Sequence, residues 1–106
     1  MFTHMFLGSN DVDRSRNFYQ ATLAPLGQSN VMPADQPRCV FPGPHGSLII
    51  GAPADGAPAT ASNGFTVGFV ASDAAAVDAF HAAGVANGGT DEGAPGPRPN
   101  APGNSY

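Results

Sequence analysis

The chain has 106 residues, with eight acidic residues against four arginines and no lysine, a formal net charge of −4. So few cations cannot neutralise a run of phosphates or form a polybasic patch, which excludes nucleic acid and membrane surfaces as expected partners. No apolar run approaches the ~20 residues of a membrane span, no signal-peptide pattern opens the chain, and the single Cys39 excludes an internal disulfide framework; one small cytoplasmic domain is expected.

Phe2 to Leu7 interleaves Thr3 and His4 with aromatic and apolar residues, which predicts a mostly buried strand. Gly8, Ser9 and Asn10 make a turn. Asn10 is the predicted cap of a helix, with Asp13 in the acceptor position three residues on. Val12, Ser15, Tyr19, Thr22 and Leu26 share one face of that helix, flanked by Phe18 and Leu23. Pro25 and Gly27 end it. Three strand-like pieces follow at Ser29–Met32, Arg38–Phe41 and Ser47–Gly51, separated by prolines and by the PGPHG turn. Residues 52–63 are small and polar without period and read as a linker. Gly64–Ala71 is again strand-like. Ser72 is the next predicted cap, and Ala76, Val77, Phe80, Ala83 and Gly84 form a second helical face that Gly88 and Gly89 close.

Shifting the chain by 62 residues aligns its halves without a gap. Asn10 falls on Ser72, Asp11 on Asp73, Phe18 on Phe80, Gly27 on Gly89 and His4 on Thr66. This reads as a duplicated strand–helix–strands unit; the alternative is two amphipathic helices that match by chance. Residues 1–51 form module one, 52–63 the linker and 64–106 module two. The second module is expected to lack its last strand or strands: Arg38–Phe41 maps onto the proline- and glycine-rich 100–103, and Ser47–Gly51 maps past Tyr106.

The opening His4 strand, the string Asn10-Asp11-Val12-Asp13-Arg14-Ser15-Arg16-Asn17-Phe18-Tyr19 with Leu23 and Gly27, the stretch from Ala76 to Thr90 and the tail Gly93–Pro99 resemble the vicinal-oxygen-chelate superfamily of glyoxalases, bleomycin resistance proteins and extradiol dioxygenases. The resemblance covers nearly the whole chain. It implies an α+β fold of two pseudo-symmetric βαβββ modules, their mixed sheet curled around a cleft, and a homodimer. An open sheet edge, left where the final strand is missing, points to the same assembly. It also implies a divalent metal in the enzymes and none in the drug-binding members.

Within that resemblance His4 holds the place of a metal ligand on the first strand. Thr66 stands where a second ligand is usual, and its neutral hydroxyl is a poor donor for Zn, Ni, Fe or Mn. The third ligand is absent. Catalytic sites generally need about three protein ligands, so no tightly bound metal is expected. Arg98 is a candidate for a ligand carboxylate or phosphate, with pairing to Asp91 or Glu92 as the other reading. Phe65 and Tyr19 are candidates for lining the cleft, with helix-on-sheet packing as the other reading. His45 reads as an exposed turn residue, His81 as a flanking helix residue, Asp91-Glu92 as a solvated surface and Cys39 as a small strand residue.

Two functions follow, beside a third reading as a family remnant or shortened gene product with no retained small-molecule function. One is a metal-free protein that holds a small apolar or cationic molecule in its cleft. The other is a metal-dependent lyase, isomerase or dioxygenase acting on a substrate with two adjacent oxygens, its missing ligands coming from a partner chain or from residues outside this sequence.

Overall fold

The computed structural model describes residues 1–32 and 37–98. In chain order the elements are β1 (His4–Gly8), α1 (Val12–Leu23), a 3₁₀ turn (Ala24–Leu26), β2 (Arg38–Phe41), β3 (Ser47–Gly51) and α2 (Ala74–Ala86).

The cap of α1 is Asp11 rather than Asn10: its carboxylate accepts from the Arg14 N–H at 3.1 Å. Asn10 is engaged elsewhere. Its carbonyl accepts from the Ala59 N–H at 2.7 Å and its amide donates to the Ala59 carbonyl at 2.9 Å, which clasps the linker to the end of β1. Asp13, the expected second acceptor, turns outward and pairs with Arg16 at 2.7 Å. Asp73 rather than Ser72 caps α2, accepting from the Ala76 N–H at 2.8 Å. A carboxylate outcompetes the neighbouring amide or hydroxyl at both caps because it also meets the positive end of the helix dipole. Both caps move by one residue, so Asp11 and Asp73 keep the spacing of 62. Pro25 tightens α1 into the 3₁₀ turn, and Gly27 ends it with a left-handed φ of +74°.

The sheet runs β1-β3-β2. β1 is parallel to β3, and β2 is antiparallel to β3. Of the strand expected at Ser29–Met32, a single bridge forms, Met32 to Val40, with reciprocal hydrogen bonds of 2.9 and 2.7 Å. The register sets Met5, Leu48 and Phe41 abreast on one face, with Leu7, Ile50 and Cys39 abreast behind them. This face packs against Leu23 and Tyr19 of α1. Leu23, Cys39, Phe41, Leu48 and Ile50 form the buried core.

β1 was expected to be mostly buried. Instead it alternates: Met5 and Leu7 are half-buried and His4, Phe6 and Gly8 exposed. Helices cover only one face of the sheet, so the period-2 alternation of a strand leaves every second residue in water.

Gly64–Ala71 forms no strand among the described residues. Phe65 and Val70 are exposed, while Phe69 turns inward and meets Phe80 with ring centres 6.0 Å apart. A strand exists only against a ladder partner, and no described residue supplies one. α2 packs on α1, with Phe18 and Thr22 against Gly84. No strand follows α2 up to Arg98, and the expected counterpart at 100–103 lies outside the described residues. The fold is α+β, with two helices and a small mixed sheet of three strands. Among the described residues no helix is long and apolar enough to cross a membrane.

Candidate functional site

The face of the sheet turned away from the helices carries the other half of each strand. The register places Phe6, Ile49 and Val40 side by side across β1, β3 and β2, and Met32 pairs beside Val40. At a strand spacing of ~4.8 Å this apolar row is about 14 Å wide. Phe6 is 46% exposed and Met32 55%, and Val40 and Ile49 are half-buried, so the described residues leave the row partly open. His4 and Ser47 lie on one side of it, and Gly8, Gly51 and Arg38 on the other.

Gly51 makes this second side possible. A methyl group there would sit 2.8 Å from Arg38 Cβ and 3.2 Å from the Phe6 ring. Its hydrogen lets the ring and the arginine stem close over the strand from either side. At Gly8 a methyl group would meet Ala59 at 3.1 Å and Pro53 at 3.5 Å. The linker, held by the Asn10 clasp, therefore walls this end of the face. None of the strand positions on the face is acidic. Among the described residues the Arg38 guanidinium has no hydrogen-bond or ion-pair partner.

A cavity of about 570 Å³ opens on the helix side, between the core and residues 67–70. Leu23, Phe41 and Leu48 form part of its wall, yet these core residues remain almost fully buried. His4, at the start of β1, and His45 are both among the residues that border it, a juxtaposition that spacing in the chain does not reveal.

The residues singled out from the sequence lie apart. His4 is exposed at the start of β1, its Nδ1 2.9 Å from the Thr3 hydroxyl. Thr66 and Phe65 are exposed and are not among the residues that line the cavity. Tyr19 stands on the helix side, edge-on to Phe18 at 5.0 Å and tilted against Phe41 at 6.4 Å, and burial raises its phenol pKa. Arg98 folds back on its own loop and donates to the Ala94 carbonyl at 3.0 Å. Asp91 pairs with His81 at 3.0 Å, and the Gly93 N–H and then His81 hold its carboxyl below the ordinary value. Cys39 is fully buried, and desolvation raises its thiol pKa against the opposing pull of Arg16, the surroundings of a core residue rather than of an activated thiol. Among the described residues no three His, Cys, Asp or Glu side chains gather as a metal site would require.

Phe6, Val40, Ile49, Met32 and Arg38 escaped the sequence reading. Their signal was the alternation within each strand, with every second residue assigned to an uncovered face.

No family model matches the chain, and no curated protein matches it. Among solved structures, the crystal structure of a glyoxalase/bleomycin resistance protein from Albidiferax ferrireducens T118 superposes with a TM-score of 0.87. It is 44% identical over 94% of this chain and 81% of that one. With that identity, over a shared fold, the chain belongs to the glyoxalase/bleomycin resistance protein family of the vicinal-oxygen-chelate superfamily.

Proposed function

We propose that the protein binds a small molecule against the open face of its sheet and has no complete metal site of its own. The observation that carries this is the uncovered row of Phe6, Ile49, Val40 and Met32, bounded by His4 on one side and by Arg38 and the linker on the other. Apolar area withdrawn from water here contributes roughly 25 cal/mol per Å² before the costs of association. The two halves are read as repeats of one βαβββ unit, supported by helices that start 62 residues apart behind matching aspartate caps.

The second reading, a metal-dependent lyase, isomerase or dioxygenase, is favoured by one observation: His4 stands exposed on the first strand beside this face. One imidazole does not offset the dehydration of a divalent ion, and about three ligands are the rule. The others would have to come from a partner or from residues outside the described ones. Calorimetric titration of metal-stripped protein with Zn²⁺, Ni²⁺ and Mn²⁺ separates the readings. We expect no stoichiometric submicromolar binding. Tight binding that disappears in His4→Ala would put the metal-dependent reading first.

The assembly is read as a homodimer. Among the described residues β1 is an edge strand, and Gly64–Ala71 is a strand-like segment without a ladder. A second copy offers each the partner it lacks, by sheet completion or by exchange of modules. Sedimentation at micromolar concentration is expected to give the dimer mass, and a stable monomer would remove this reading.

A further inference from the structure

We infer that the open face selects an apolar carboxylic acid, the hydrocarbon part lying along Phe6, Ile49 and Val40 and the carboxylate held by Arg38. This rests on the reading of the open sheet face as the binding site and names the charge of what it takes.

Three observations carry it. First, Arg38 is exposed, unpaired among the described residues, and two residues from Val40 on the same strand. That is about 7 Å along the strand, the length of a small aromatic ring system. Second, Gly51 brings the Phe6 ring and the Arg38 stem together over one strand position. A planar group resting on the Phe6 ring would thus have its substituent within reach of the Arg38 side chain, whose planar guanidinium fork matches a carboxylate with two parallel hydrogen bonds. Third, the charge of the face opposes that of the chain. The protein carries eight acidic residues and a net charge of −4, yet no strand position on this face is acidic. A cationic ligand would meet Arg38 with no carboxylate at the described strand positions of the face to balance it. An anion finds its counter-charge already in place. His4 lies four residues from Gly8, about 13 Å from that end of β1, so it leaves the acid to Arg38.

The test uses three probes of one shape and different charge: 1-naphthoate, neutral 1-naphthamide and cationic 1-naphthylmethylammonium. Each is titrated against the wild-type chain and against Arg38→Gln, Arg38→Lys and Phe6→Ala, with circular dichroism confirming that each variant is folded. We expect 1-naphthoate to bind roughly tenfold more tightly than 1-naphthamide, and the cation to bind most weakly. Arg38→Gln should bring 1-naphthoate to the level of 1-naphthamide and leave the amide unchanged. Arg38→Lys should retain part of the preference, and Phe6→Ala should weaken acid and amide together. A cation that binds as tightly as the acid, or 1-naphthoate affinity unchanged in Arg38→Gln, overturns the assignment. If acid and amide bind equally and both depend on Phe6, the open face stands as the site and only its selection for acids falls. If no probe binds, or Phe6→Ala alters none, the site and its selectivity fall together.

Discussion

Phe41→Ala is expected to destabilise the chain by about 3–5 kcal/mol, the range for removing a large aromatic from a packed core. Phe41 is 3% exposed, stands abreast of Leu48 on β3, and meets Tyr19 of α1 with ring centres 6.4 Å apart. It joins sheet to helix in a core cluster with four other buried members among the described residues. Total stability in domains of this kind is about 5–15 kcal/mol, so such a loss would remove a fifth of it or more. Urea denaturation followed by circular dichroism measures it. Phe6→Ala is the control, because Phe6 is a residue of the same type on the other face, 46% exposed. Its removal should cost well under half as much. Equal costs would mean that both faces are covered in solution, and the open face would then not be a binding surface for a small molecule.

Gly51→Ala should act on stability and binding together. The added methyl group would lie 2.8 Å from Arg38 Cβ, an atom fixed to the backbone that cannot swing away, and 3.2 Å from the Phe6 ring. The strands must separate or the ring must leave, which costs about 1–3 kcal/mol, as overpacking generally does. Folded protein should also lose affinity for an apolar probe, because Phe6 and Arg38 no longer meet over β3. Gly8→Ala is the comparison. Its nearest neighbour, the Ala59 methyl at 3.1 Å, belongs to a linker that can give by a few tenths of an ångström. A midpoint shift in Gly51→Ala no larger than that in Gly8→Ala would show that the contact is not tight.

Much of the fold was legible in local chemistry. Arg38–Phe41 and Ser47–Gly51 became strands at their expected boundaries, because turn residues bracket them and β-branched or aromatic residues fill them. Both helices appeared where period and stop residues put them, and the linker stayed without regular structure. Cap identity was off by one at each helix. Asn10 and Ser72 are good caps by type, but the aspartate next to each brings a full charge to the helix end, and Asn10 is drawn away by a residue 49 positions distant.

The candidate site was hardly legible. His4 could be placed on a strand, but which face it shares depends on the pairing of β1 with β3, whose residues lie more than forty positions away. Arg38 carried no mark as a charged strand residue until the register set it across Gly51 from Phe6. Arg98, beside acidic residues in the chain, instead satisfied itself on the carbonyl of Ala94.

What the sequence by itself determined were the properties set within a few residues: two capped helices, the turns, two of the short strands, the acidic charge and the family resemblance. Helix periods, caps and turns are settled by neighbours three or four positions apart, so they can be read along the chain. Only the tertiary structure decided that β1 is half exposed and that, among the described residues, Gly64–Ala71 has no ladder and an apolar row ends at an arginine without a partner. Each of these depends on which distant backbone supplies hydrogen bonds and which face a helix covers. A strand carries an alternation but does not say which of its two sides will stay in water.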